Sequence, residues 1–122
     1  MIASMANRGP LEQSVMELLW DSSAPRSVAE VLEGLDTGRD LAYTTVMTVL
    51  DRLAKKHLAT RERVDRAWRY LPADSQDVVV ARDMAAVLED VPAAVRLKAL
   101  QGFCASLSDI ERAALLEVCT DN

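Results

Sequence analysis

The stretch from Tyr43 to Lys56, YTTVMTVLDRLAKK, decides the fold. Its apolar residues recur every three or four positions, which is the spacing of an amphipathic helix that begins at Ala42 or Tyr43. The predicted buried stripe of this helix consists of Val46, Val49, Leu50 and Leu53. The other side carries threonines and basic residues, so the sequence predicts a helix with one buried face and one polar face.

Two further helices are predicted upstream of this stretch. Pro10 suits a first helical turn, and the apolar spacing continues from there to Trp20 or Asp21. Ser27 and Glu30 have the spacing of a capping box, in which each side chain accepts a hydrogen bond from the backbone N–H of the other. A second helix should therefore begin there, and Gly34 with the stretch 36–40 should end it. The expected inward residues of these two helices are Leu11, Val15, Leu18, Leu19, Val28, Val31, Leu32 and Leu35.

A two-stranded hairpin is predicted downstream. Residues 59–64 and 67–71 are separated by a two-residue turn and closed by Pro72. His57 stands where a helix often ends in a left-handed residue, so we expect it to be a cap. Three helices followed by an arginine-rich hairpin are typical of the winged helix-turn-helix, and the predicted fold class is mainly α.

Residues 74–122 predict three more helices. Pro92 opens the second of them, and Ser108 with Glu111 repeats the capping box at the start of the third. These short helices bury too little surface alone, and chains of this size often depend on oligomerisation. We expect a loose tail over 1–9, a winged-helix domain over 10–73 and a helical domain over 74–122 that forms a homodimer. The expected dimer contacts are Met84, Val87, Leu88, Leu97, Leu100, Phe103, Cys104, Leu107, Ile110 and Leu115.

Charge is divided unevenly along the chain, whose formal net charge is −5. Residues 37–72 hold eight basic and four acidic residues, a net charge of +4, whereas residues 73–122 hold four basic and nine acidic residues, a net charge of −5. This division is expected when one half meets phosphates and the other meets protein.

The polar face of the third helix and the hairpin are the candidate contacts to double-stranded operator DNA. A threonine offers a hydroxyl and a methyl group to bases, and an arginine can bind guanine with two hydrogen bonds. Phosphate contacts are expected from basic side chains in the wing and at the end of the third helix: Arg61, Arg63, Arg66, Arg69, Lys55 and Lys56. The predicted set is Arg39, Tyr43, Thr44, Thr45, Thr48, Arg52, Lys55, Arg61, Arg63 and Arg66. The aromatic residues Trp20, Trp68 and Tyr70 are expected to fill the core instead.

The sequence offers no set of catalytic residues, so we expect no enzyme and no cofactor. The two cysteines, Cys104 and Cys119, are too far apart for a paired-cysteine metal motif, and no metal site is expected. The sequence shows no run of about 20 apolar residues and no secretory leader. We therefore expect no membrane insertion and a cytoplasmic location.

Three segments resemble the BlaI/MecI penicillinase-repressor family, in particular its actinobacterial members: residues 11–20, residues 40–56 and residues 66–72. The resemblance implies a dimeric winged-helix repressor of β-lactamase or related genes. It also implies relief by proteolysis downstream of a membrane sensor protease, at a bond that would lie between Gly102 and Phe103. A copper-responsive branch carries closely spaced cysteine pairs that this sequence lacks.

Two other functions remain open from the sequence. The winged helix could serve as a protein-interaction module, which would leave duplex DNA unbound. The helical half could also enclose an effector, as in a ligand-sensing repressor, and an apolar cavity between its helices would distinguish that case.

Overall fold

A computed structural model describes residues 9–35 and 40–120. Residues 1–8 of the tail expected over 1–9, and the candidate contact Arg39, lie outside the described residues. The elements in chain order are α1 (Pro10–Asp21), β1 (Arg26–Ser27), α2 (Val28–Gly34), α3 (Tyr43–Lys55), β2 (Ala59–Val64), β3 (Ala67–Pro72), α4 (Gln76–Glu89), α5 (Ala93–Ala105) and α6 (Asp109–Thr120). The chain divides into two compact units, one ending at Ala85 and one beginning at Ala86.

The core of the first unit is built from the predicted apolar stripes. Every residue of the stripe expected on α3 is buried, and the inward residues of α1 and α2 are buried or half-buried. The core cluster comprises Val15, Met16, Leu19, Val28, Val31, Val46, Val49, Leu50, Leu53, Leu58, Ala59, Tyr70 and Val79. Because one face of α3 is used in this way, its other face is left to solvent.

Two helix ends are fixed by the local chemistry expected of them. The Ser27–Glu30 capping box is confirmed, since the Ser27 hydroxyl accepts from the Glu30 N–H at 3.2 Å and the Glu30 carboxylate accepts from the Ser27 N–H at 3.0 Å. His57 is left-handed, with φ of 63°, as predicted. The N–H of Leu58 then donates to the Leu53 carbonyl at 3.0 Å, which is the pattern of a Schellman motif and turns the chain from α3 into β2.

The wing is an antiparallel hairpin of β2 and β3, as predicted, and it belongs to a three-stranded sheet of order β1-β3-β2. The two-residue strand β1 was not expected, because so short a strand leaves no alternating pattern in the sequence. Asp65 and Arg66 form the turn, and both have positive φ, 50° and 69°. This is the backbone conformation of a type I′ turn, whose twist matches that of the flanking strands.

The second unit contains the end of α4 with α5 and α6. The Ser108–Glu111 capping box is confirmed, with the Glu111 carboxylate accepting from the Ser108 N–H at 2.8 Å. Arg112 donates from Nε to the Cys104 carbonyl at 3.1 Å, which joins α6 to α5. No residue of α5 or α6 is buried. In the described ranges, no helix has the length and apolar character needed to cross a membrane.

Candidate nucleic-acid interface

The solvent-facing side of α3 lies directly opposite its buried stripe. Four of its side chains, each about one turn from the next, share this side and are exposed. We call Thr44, Thr48, Arg52 and Lys55 the threonine–arginine face. Tyr43, Thr45 and Met47 are also exposed at its margins. The structure therefore leaves the predicted contacts on α3 accessible.

The threonines of this face do not have equal hydrogen-bonding freedom. The Thr48 hydroxyl donates to the Thr44 carbonyl at 2.8 Å, so its single proton is already used within the helix. Its lone pairs and its methyl group remain available. In this rotamer Thr48 can accept from an exocyclic amino group or contact a thymine methyl group.

Asp51 brings a negative charge beside the threonine–arginine face. Its carboxylate lies 3.1 Å from Lys55 Nζ and 3.9 Å from Arg61 Nη1 of β2. These two cations offset the charge of an acid that would otherwise repel phosphate. Arg61 also connects the wing to α3 through this contact.

The wing carries an aromatic side chain between two cations. The Arg61 guanidinium lies 4.3 Å from the centre of the Trp68 ring, and that of Arg63 lies 5.4 Å away. The expectation that Trp68 fills the core is wrong, because it is 39% exposed. Trp68 pairs with Arg63 across the hairpin, in the second residue pair from the turn, whereas the buried Tyr70 lies two residues further from that turn. Tyr70 is buried and Trp20 packs against the core, as expected.

The guanidinium groups of two arginines of the predicted set have no partner among the described residues. Arg52 and Arg66 are exposed, and the side chain of neither makes a hydrogen bond or ion pair with another residue in the ranges 9–35 and 40–120. Arg52 lies on α3 and Arg66 at the tip of the wing. An unpaired guanidinium keeps all five N–H donors available to an external anion.

Two other basic residues of this region form ion pairs within the fold. Lys56 Nζ lies 2.9 Å from Glu12 Oε2, and Arg69 Nη1 donates to Glu30 Oε1 at 2.6 Å. Hydrogen bonds from the Ser27 backbone and side chain, followed by the charge of Arg69, hold the pKa of Glu30 below its ordinary value. These pairs attach α3 to α1 and β3 to α2. Basic charge in the sequence alone could not separate them from the cations that face outward.

The residues expected at a dimer interface lie on α4, α5 and α6 or just before α6. Leu88 and Leu107 are half-buried, and the others are exposed to solvent within one chain. They include Val87, Leu97 and Ile110, which are 70%, 64% and 83% exposed. Gly102 and Phe103 lie within α5, near its end. The thiols of Cys104 and Cys119 are free and exposed, and the described chain holds no cluster of three ligands for a metal ion.

This combination of a three-helix unit, a polar third helix and a two-stranded wing defines a winged helix-turn-helix protein. The sequence of residues 8–121 matches the family model described as penicillinase repressor. The chain therefore belongs to the penicillinase repressor family, which confirms the resemblance noted from its sequence.

Sequence relatives agree with this assignment, and solved structures agree with the fold. The chain is 51% identical over 80 residues to the transcriptional regulator BlaI of two strains of Mycobacterium tuberculosis; the match covers 66% of this chain and 58% of the relative. The chain thus spans well under two thirds of the length of these relatives. The fold is similar to that of hsRosR-S4, with a TM-score of 0.56, 19% identity, and coverage of 90% of this chain and 94% of the other. It is also similar to a mutant of Lactococcus lactis ZitR, with a TM-score of 0.50, 14% identity, and coverage of 99% and 77%.

Proposed function

We propose that the protein is a transcriptional repressor that binds palindromic operator DNA as a homodimer, with α3 in the major groove and the wing against the phosphate backbone. The observation that carries the proposal is the threonine–arginine face. It is exposed, it opposes a fully buried stripe, and it contains a guanidinium group with no partner in the described ranges.

The dimensions of a helix suit the major groove. A groove about 12 Å wide admits one α-helix with its side chains. Thr44 and Thr48 are one turn apart and Arg52 follows one turn later, so their side chains can follow successive base edges. Arg52 would bind guanine, and Thr48 would accept from adenine or cytosine because its proton is engaged.

The wing supports the proposal through its charge. Arg63 and Arg66 lie on exposed positions of the hairpin, where a guanidinium can reach phosphates beside the groove. The acids of the whole chain outnumber its bases, 19 to 14, so binding must come from local charge placement.

The helical unit would supply the contacts between the two subunits of the dimer. Isolated α5 and α6 leave Leu97, Leu100, Phe103 and Ile110 substantially exposed, and apolar surface of this kind is normally covered by another chain. A two-fold dimer would present two copies of α3 to half-sites one or two helical turns apart.

Relief of repression would follow from cutting this unit. We infer a cleaved bond between Gly102 and Phe103, by a membrane sensor protease or a protease downstream of it. The bond lies in the helical backbone of α5, so the helix must unwind locally before a protease can hold it extended. Transcription of β-lactamase or related genes would then no longer be repressed.

The proposal is tested by fluorescence anisotropy with a duplex selected by the full chain from a random library, and with a scrambled duplex of equal length. We expect tighter binding to the selected duplex, with affinity falling steeply as salt rises because several phosphates are neutralised. Failure to bind any duplex at low salt would overturn the proposal and favour a protein-interaction module.

A further inference from the structure

We propose that Trp68 is a positioning residue for DNA binding: its indole ring holds the guanidinium groups of Arg61 and Arg63 in place to contact the phosphate backbone. The inference rests on the proposed function and assigns a role within that same surface. It starts from a side chain outside the core cluster, since Trp68 is 39% exposed.

The geometry is that of a cation–π arrangement with two cations. Arg61 Cζ and Arg63 Cζ lie 4.3 Å and 5.4 Å from the centre of the ring, both inside the range in which the ring quadrupole attracts a cation. Arg61 and Arg63 are two residues apart on β2, so their side chains lie on the same face of the strand. Trp68 is the cross-strand partner of Arg63. The hairpin register therefore gives both arginines access to one ring.

A guanidinium that lies over an aromatic ring can still bind a phosphate. Its N–H donors point outward in the plane of the group, away from a ring that lies against its face. A free arginine loses rotamer freedom when a complex immobilises it. A side chain already held by an indole loses less, so the same contact gives higher affinity.

Asp51 of α3 is a second partner of Arg61, besides the Trp68 ring. Its Oδ1 lies 3.9 Å from Arg61 Nη1, so Arg61 lies between the ring of the wing and the carboxylate of α3. Trp68 acts through Arg61, whose position links the wing to the threonine–arginine face.

The test compares Trp68→Leu with Trp68→Phe on the selected duplex, in the full chain. Leucine retains apolar volume but has no π face, whereas phenylalanine retains the face. We expect the leucine variant to bind roughly three- to tenfold more weakly and the phenylalanine variant to recover most of that loss. In the free protein, the Hδ proton shifts of Arg61 should lose their ring-current displacement only in the leucine variant.

A double-mutant cycle separates positioning from a direct or merely structural role. When Arg61 and Arg63 are both alanine, Trp68→Leu should cause no further loss of affinity, because no guanidinium remains to be held. An equal loss in that background, or no loss in the wild-type background, would overturn the inference. Failure of the wild-type chain to bind duplex DNA is a different result and would overturn the proposed function instead.

Discussion

Lys56 Nζ lies 2.9 Å from Glu12 Oε2, and only 11% of the Glu12 side chain is exposed. The end of α3 is thereby attached to α1 by an ion pair with one nearly buried partner. Its neighbour Lys55 is different, because its side chain is 77% exposed and pairs with Asp51 one turn away. Of these adjacent lysines, Lys56 therefore stabilises the fold, whereas Lys55 lies at the surface.

Replacing each lysine by methionine should expose this difference. Lys56→Met leaves the Glu12 carboxylate without its cation, and we expect it to lower the free energy of unfolding by about 1–3 kcal/mol. Lys55→Met should cost about 0.3–0.5 kcal/mol and weaken DNA binding more than its neighbour does. Urea unfolding at one protein concentration measures the first effect. Equal midpoints for the two variants would contradict the assignment.

The turn of the wing predicts opposite effects on stability and binding. Arg66 has φ of 69°, a conformation that costs a residue with a β-carbon about 1 kcal/mol relative to glycine. Arg66→Gly should therefore raise the unfolding temperature while weakening DNA binding and reducing the salt dependence by about one phosphate. Asp65→Gly is the matched control, since it should stabilise the turn without loss of affinity. A destabilised Arg66→Gly variant would argue against the turn geometry.

The Ser27–Glu30 capping box predicts a pH dependence of stability. Hydrogen bonds from Ser27 and then the charge of Arg69 lower the pKa of Glu30 from its ordinary value of 4.5. A carboxylate with a lowered pKa in the folded state stabilises the fold above 4.5, and that contribution is lost as pH falls through the folded pKa. The difference in unfolding free energy between wild type and Glu30→Gln should therefore shrink below pH 4.5. A constant difference across that pH would contradict this explanation.

The exposed apolar residues of α5 predict a dimer that a single acid can disrupt. Leu97→Glu places a charge where we expect a subunit contact, so the chain should elute as a monomer in light-scattering chromatography. The monomer should lose most of its affinity for a palindromic duplex because only one half-site can be held. Lys98→Glu, one residue further on, is the control that should remain dimeric. A monomeric wild-type chain would contradict the predicted interface.

Much of the fold was predictable because local chemistry determines it. The stripe of α3, the two capping boxes, the left-handed His57 and the two-residue hairpin each follow from residue spacing or a short motif. The strand β1 did not, because its pairing with β3 depends on tertiary contact and involves only two residues.

The candidate site was predictable only in part. Sequence placed Thr44, Thr48 and Arg52 on an exposed face, and the structure leaves them there. It could not show that Lys56 and Arg69 are engaged internally, because their partners are 44 and 39 residues away. The position of Trp68 opposite Arg63 could have been predicted from the sequence, because a two-residue turn at positions 65–66 pairs residue 63 with residue 68. The DNA contacts and the dimer interface stay predictions.

The most direct measurement compares Arg52→Ala with Arg66→Ala on the selected and the scrambled duplex at one salt concentration. If α3 reads bases and the wing binds phosphates, Arg52→Ala should lose about 1–3 kcal/mol on the selected duplex and little on the scrambled one. Arg66→Ala should weaken binding to both duplexes equally. Equal losses on both duplexes for both variants would show that α3 does not read sequence.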